Sequence, residues 1–386
     1  MTLCQTDLNC KGKLNAQYQK WVELENLNTD TNSNIEDELS NTNNINSSQL
    51  KQFKLSNDFL KNDLVKGAIN EWLTWKRPQL INTWKYYQFL RNDILPSINR
   101  YDLEESFVLA IMAQESGGRV HSNSVAGAGG LFQIMPATAK RLGISGKIGA
   151  YDLRYSPKES ARAAALYIHQ QSQLHSGDKT KILAAYNSGE NRFARLNKKH
   201  KNKSIWDKNF YYDLPRETRH YIPTVIAAML IYRHPEQFNV VFNELETDIT
   251  KVQFQQKSSL SELAICLGQE SNESGWFRVL RNLNFSIKAD KLIPARTELI
   301  IPKSLKSVFQ TNCQNKDLMK LAQSLHEADF NNSQTLFKYK VKEGESLGLI
   351  ANKFSCTSKR EIAKLNNLKA PRYLIRAGKY LKIPQC

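Results

Sequence analysis

Tyr101 to Gly143 reads "YDLEESFVLAIMAQESGGRVHSNSVAGAGGLFQIMPATAKRLG". Its first part predicts a helix. Asp102 stands as N-cap with Glu105 three residues on, a variant of the capping box. Phe107 to Ala113 is apolar on every side, which marks a buried helix at the centre of its domain. Gly117 and Gly118 supply a left-handed turn to end it. Glu115 therefore falls in the last helical turn. Partial desolvation and the negative helix end both raise a carboxyl pKa there, as a general acid near neutral pH requires. A surface glutamate before a C-cap has the same spacing, so spacing alone does not choose. Beyond it, Gly127, Gly129 and Gly130 are expected to keep side chains out of a groove.

The flanking chain is helical in pattern. "DFLKNDLVKGAINEWLTW" (58–75) and "TWKYYQFLRNDILPSI" (83–98) predict two aromatic-rich helices. "MPATAKRLG" (135–143) is a short helix closed by Gly143. "SPKESARAAALYIHQQSQL" (156–174) opens with Ser156 as N-cap, Pro157 at the first helical position and Glu159 completing a capping box. "KTKILAAYNSG" (179–189) runs to a cap at Gly189, and another helix begins near Pro215. No alternating strand is evident between Asp58 and Pro235, so this domain is mostly α.

The chain has 386 residues and a formal charge of +17, enough length for a full-sized core and a smaller domain besides. The charge points to an anionic partner such as a cell-wall polymer, nucleic acid or membrane surface, or serves solubility alone. No run of about twenty apolar residues exists to span a membrane. The six cysteines (Cys4, Cys10, Cys266, Cys313, Cys356, Cys386) form no CxxC pair and no zinc-spaced Cys/His cluster. Neither a metal nor a cofactor is expected, and spacing leaves free thiols and bridges both open. His121, His169 and His220 also lack metal spacing. Met1 to Lys13 contains no basic segment followed by an apolar one, so no signal peptide is read there. Cys4 after Leu3 is a candidate remnant of a lipid-attachment signal. Asn26 to Asn57 is dominated by Asn, Ser, Thr and Asp and is expected to be a disordered linker.

Three blocks carry a resemblance: "ESGGRVHSNSVAGAGGLFQIMPATAKRLG", "ILAAYNSGENR" and "LPRETRHYIPTVIAA". In order and spacing they resemble the signature blocks of the lytic murein transglycosylases, within the goose-type lysozyme superfamily. The match runs from about Leu90 to Phe238, and its pattern is similar to the membrane-bound D-type branch, which carries peptidoglycan-binding LysM modules behind the catalytic domain.

The C-terminus meets that expectation. Tyr339 to Pro384 reads strand, helix, helix, strand. Ser346 caps the first helix, Ser358 and Glu361 form a capping box for the second, and Tyr380 to Ile383 is the return strand. With "EGES", "LNN" and "AGKYLKIP" it resembles a LysM module. A nucleic-acid-binding module ranks lower, because the basic residues are not interleaved with stacking aromatics. Ser259 to Pro302 repeats this segment. "SLSELA" answers "SLGLIA", "LRNLN" answers "IAKLNN", and Arg296 stands where the second copy has Gly378. The expected organisation is an N-terminal region and linker (1–57), a mostly α lysozyme-like catalytic domain (58–245), a degenerate LysM-like unit (252–303), a connector with one helix (304–336), and a LysM module (337–386). The fold class is multidomain, a mostly α lysozyme-like domain followed by small α+β LysM (βααβ) modules.

The resemblance implies a peptidoglycan glycan strand as substrate and Glu115 as the single catalytic acid. It implies Ser124 near the acid, Gln133 and Met135 lining the groove, Tyr186 and Asn187 holding the acid and N-acetyl groups, and Glu217 and Tyr221 closing the far wall. Met135 fits a core position equally. Ser124 fits a loop-stabilising role, Asn187 a helix cap, and Glu217 a first-turn acid favoured by the helix dipole. In the LysM module it implies Gly344, Glu345, Ser346, Leu347, Tyr373, Leu374 and Ile375 as glycan contacts. Peptidoglycan is the expected partner and nucleic acid is not. The expected location is the periplasm or outer membrane, and membrane association would rest on an N-terminal signal. A hydrolytic muramidase and a catalytically silent wall-binding protein stay open as alternatives.

Overall fold

The computed structural model describes residues 62–384 except 270, 271, 273, 331–335, 355–356 and 369–372. The expected N-terminal region and linker (1–57), with Cys4 and Cys10, lie outside the described residues, as do Cys356 and Cys386. Residues 1–66 and 67–386 form separate units, and the account below concerns the second, with the first turn (63–66) of the helix that runs into it. No described helix is long and apolar enough to cross a membrane.

The helical region is built from α1 (Asp63–Leu73), α2 (Arg77–Arg100), α3 (Glu105–Ser116), α4 (Pro136–Arg141), α5 (Pro157–Leu174), α6 (Lys179–Ser188), α7 (Glu190–Lys199), α8 (Lys208–Asp213) and α9 (Arg216–Arg233). A two-residue antiparallel pair, β1 (Lys147–Ile148) and β2 (Tyr151–Asp152), interrupts them. Helix α3 is the centre. Phe107 to Ala113 are all buried, and α2 and α9 pack against it. Gly117 ends α3 in the left-handed conformation, its N–H bonding back to Met112 O and Ala113 O.

The start of α3 differs from the sequence expectation. Glu104, not Asp102, is the N-cap, and no side-chain cap bond forms. Glu104 is instead drawn to Arg233 at the end of α9 and to Ser106, while Asp102 adopts a left-handed backbone. The long-range ion pair wins over the local cap. At α5 the Ser156 side chain does accept from the Glu159 N–H, at 3.4 Å.

Helix α9 is buried from Tyr221 to Tyr232 despite an interior proline. Pro223 has no N–H for the Arg219 carbonyl one turn back, and the Tyr211 hydroxyl fills that vacancy at 2.8 Å.

Two βααβ units follow. The first comprises β3 (Ile249–Gln253), α10 (Leu260–Leu267), α11 (Phe277–Leu283) and β4 (Glu298–Pro302), with β3 and β4 antiparallel. Helix α12 (Lys316–Phe330) packs on α10. The second comprises β5 (Leu336–Lys340), α13 (Leu347–Ala351), α14 (Lys359–Leu365) and β6 (Tyr380–Pro384), again antiparallel and with its own core.

The repeat extends to single bonds. Asn284 Nδ2 donates to Leu280 O and Ile300 O, and its Oδ1 accepts from the Ile300 N–H. Asn366 makes the same three bonds to Ile362 O and to Lys382 O and N–H. Arg296 and Gly378, four residues before those strand partners, are both left-handed, with φ of 63° and 82°.

Cys266 at the end of α10 is bridged to Cys313, 47 residues on. A bridge closing a loop of that length removes unfolded-state entropy equivalent to about 4 kcal/mol. Reduction, or Cys313→Ser, is expected to lower the urea stability of this region by about that amount, read by unfolding with and without reductant.

Candidate active site

Glu115 is the penultimate residue of α3 and only partly exposed. Its Oε1 accepts a 2.6 Å hydrogen bond from the Tyr221 hydroxyl. Burial pushes its pKa from 4.5 up to about 7; the Tyr221 bond works against that rise and the nearby Glu217 charge adds to it. At neutral pH the carboxyl is poised to give up a proton and to take one back. Burial and the proximity of Glu115 hold the Tyr221 and Tyr186 phenols well above their usual range, so both stay protonated.

Tyr221 lies one turn beyond Glu217 and Thr218 on α9, so the three share a helical face. That face meets the end of α6. Thr218 Oγ1 donates to Asn187 Oδ1 at 2.7 Å, and Asn187 Nδ2 donates to Glu217 Oε1 at 3.3 Å. The acid is held by Tyr221, whereas Asn187 is held between Thr218 and the exposed Glu217. The Tyr186 hydroxyl donates to Phe132 O at 2.8 Å, tying α6 to the glycine loop, and its ring meets Tyr167 edge-on.

The loop between α3 and α4 is self-braced. Gly129 bridges Asn123 and Ile134. Ser124 is exposed, and its Oγ accepts from the Ala128 N–H at 3.0 Å, the loop-stabilising role. Gln133 is left-handed, and its Nε2 donates to Ser122 O (3.0 Å) and Gly130 O (2.9 Å). Met135 is 40% exposed, which rules out the core position.

The glycines need a corrected reason. A Cβ on Gly130 would stand 1.9 Å from Arg154 O, and one on Gly129 would stand 3.1 Å from the Tyr155 hydroxyl. These two make room for the protein's own Arg154–Tyr155 segment; only Gly127 faces open space.

A cavity of about 650 Å³ adjoins the centre, lined in part by Gln133, Met135, Tyr186, Asn187, Arg192 and Arg195. Glu190, also on its wall, is ion-paired to Arg141 at 2.9 Å. Sequence reasoning missed Thr218 as the partner of Asn187. The spacing of 217, 218 and 221 on one helix face was the available signal.

In the C-terminal unit, Gly344 is left-handed and Ser346 caps α13 by accepting from the Leu349 N–H. Glu345 accepts from Lys353, the Lys342 N–H and the Tyr339 hydroxyl, with the lysine first in holding its pKa down to about 2. It therefore closes the turn. Leu347 is buried, Tyr373 and Ile375 pack on the small core, and Leu374 is 76% exposed at the rim.

A buried helix with Glu115 in its last turn is met by a tyrosine-bearing helix and followed by two βααβ units. The transglycosylase SLT domain matches residues 94–209 and the LysM domain residues 339–384. The chain is a multidomain protein in which an SLT transglycosylase domain precedes a LysM domain.

It is 24% identical over 272 residues to membrane-bound lytic murein transglycosylase D of Escherichia coli strain K12, covering 70% of this chain and 58% of that protein. The chain thus spans 58% of that relative's length. A putative soluble lytic murein transglycosylase of Haemophilus influenzae is 28% identical over 141 residues, or 36% of this chain and 23% of that one. Among solved structures, the 70-kDa soluble lytic transglycosylase of Escherichia coli aligns at 27% identity and a TM-score of 0.31, covering 36% of this chain and 24% of that chain.

Proposed function

We propose that the protein is a lytic transglycosylase of peptidoglycan. It cleaves the β-1,4 bond between N-acetylmuramic acid and N-acetylglucosamine, and LysM tethers it to the wall. The observation that carries this reading is the state of Glu115: a single acid at a buried helix end, held by Tyr221, with its pKa raised to about 7. It protonates the oxygen leaving C1 of the muramic sugar, and the C1–O bond breaks. The C6 hydroxyl of the same sugar then bonds to C1, and its proton returns to the Glu115 carboxylate. Atoms balance without water, and the product ends in a 1,6-anhydro ring.

Two-carboxylate hydrolases need a base or nucleophile across from the acid. Glu217 is the nearby candidate, but it is exposed and engaged by Asn187. That engagement favours one-acid chemistry over the muramidase alternative. We extend the catalytic domain to residues 58–245, beyond the matched SLT segment, and treat 252–303 as a LysM-like unit, 304–336 as a connector and 337–386 as the LysM module. The Cys266–Cys313 bridge fits an oxidising compartment, and with it a periplasmic or outer-membrane location.

The test is mass spectrometry of muropeptides released from purified sacculi in oxygen-labelled water. Anhydro ends without label are expected from the parent and from Glu217→Gln, the variant being slower but active. Labelled reducing ends, together with a Glu217→Gln as inactive as Glu115→Gln, would establish a hydrolase instead.

A further inference from the structure

The two βααβ units share a fold but not an environment. In the C-terminal copy Ser346 is exposed and Glu345 half-buried; the matching Ser259 and Ser258 are fully buried. The loops beside them are closed on each other. Ile293 N–H donates to Ser258 O at 2.7 Å, and Ser258 N–H returns a bond to Ile293 O at 3.3 Å. Ser261 Oγ donates to Asp290 Oδ1 at 2.6 Å, and His326 of α12 lies 3.6 Å from both Glu262 and Asp290. A glycan entering between these loops would have to break that closure.

The second helix has changed its outward face as well. Two residues before the shared asparagine, the C-terminal copy carries the exposed Lys364, while the first copy carries Asn282, which is 1% exposed. Asn282 Nδ2 donates to Gly118 O at 2.7 Å, and its Oδ1 accepts from the Val120 N–H at 3.3 Å. Gly118 and Val120 are the first turn of chain leaving the helix that bears Glu115.

Two more contacts extend the docking. His121 Nε2–H donates to Phe285 O at 2.9 Å, and the Ala150 N–H donates to Ser286 O at 2.9 Å. Gly149 admits that approach, since a Cβ there would stand 2.4 Å from Ser286 O. Burial lowers the His121 pKa to about 4, so the imidazole stays neutral in this contact at neutral pH.

We propose that the 252–303 unit is a LysM-type fold converted from wall binding into a brace for the catalytic loop, with Asn282 as the positioning residue that fixes the chain's exit from the Glu115 helix. An asparagine amide offers both a donor and an acceptor, and Asn282 uses both on buried backbone. Removing it leaves the Gly118 carbonyl and the Val120 N–H unpaired, and loosens the segment that aims Glu115 at the glycosidic oxygen. This rests on the transglycosylase reading only for its activity readout.

The test uses the full chain and three measurements. Asn282→Asp keeps the shape and the acceptor but sets a carboxylate oxygen against Gly118 O, whereas Asn282→Ala removes both bonds. For variants that retain a cooperative thermal transition, kcat on sacculi is expected to fall about tenfold or more. KM and sacculus retention are expected to stay within about twofold of the parent, since displacing the acid acts on turnover rather than on binding.

Asn282→Leu, which is close to asparagine in shape and makes neither bond, separates the proposal from a packing role: shape alone would tolerate it, so its turnover is expected to fall with that of Asn282→Ala. Hydrogen exchange with an N-acetylglucosamine tetramer on the Glu115→Gln chain is the arm independent of activity. No new protection is expected at 258–262 and 290–293. Protection there, or Asn282→Asp and Asn282→Ala both turning over within twofold of the parent, overturns the brace. A parent that releases no muropeptides overturns the activity reading instead and leaves the exchange result standing.

Discussion

Glu115→Gln leaves the fold and glycan binding intact and lowers turnover by about a hundredfold or more, because positioned acid catalysis commonly contributes that much. The same substitution should stabilise the protein, with a definite pH dependence. The folded-state pKa of Glu115 is raised from 4.5 to about 7. Between those values the native state keeps a proton that the unfolded chain releases. Stability therefore falls as pH rises through this window, and above it the full cost of the buried charge is present. At 1.36 kcal/mol per unit this cost is about 3 kcal/mol. Glutamine carries no such cost. The variant should match the parent near pH 4 and exceed it by up to about 3 kcal/mol near pH 8, read by urea unfolding at both values. A stability gain equal at both pH values would show that Glu115 is not held protonated by its surroundings. Activity has the same origin with a simpler sign: kcat/KM should decline above about pH 7, as the acid loses the proton it must donate.

What the sequence made legible was local. The all-apolar run Phe107–Ala113, the Gly117 turn, and the serine caps at Ser156, Ser346 and Ser358 are decided within a few residues, and each lies where its pattern put it. The site's internal bonds are decided at long range. Tyr221 reaches Glu115 across 106 residues, and Thr218 reaches Asn187 across 31. A sequence lists a tyrosine and an asparagine in its signature blocks but not which of them meets the acid. The same limit explains Asp102, which has a good capping pattern but loses the position because Glu104 finds Arg233 across 129 residues. It also explains Asn282, which one aligned copy replaces by an exposed lysine and which only the docked structure marks as buried.

The glycine loop supplies the second large effect. Gly130→Ala is expected to cost about 3 kcal/mol or more, as the sum of two separate penalties. The residue sits at φ +83°, where a Cβ clashes with its own backbone. Its Cβ would also stand 1.9 Å from Arg154 O, a backbone atom with no rotamer to move it aside. Arg154 itself is fixed. Its guanidinium donates to Gly127 O at 2.7 Å and Ile134 O at 3.0 Å and pairs with Asp152 at 2.9 Å. Relief would require breaking the ties that hold the loop beside Glu115. Gly127→Ala is the control. Gly127 has φ +91° but nothing within 4 Å of the added methyl. It bears the first penalty alone, about 1 kcal/mol. Urea unfolding of the two variants at one pH separates the terms, and equal destabilisation would refute the crowding of Gly130 against Arg154. Turnover should follow the same order. The Gly130 carbonyl is one of two acceptors for the Gln133 amide, so displacing it moves a side chain on the cavity wall, whereas Gly127→Ala leaves that amide where it is.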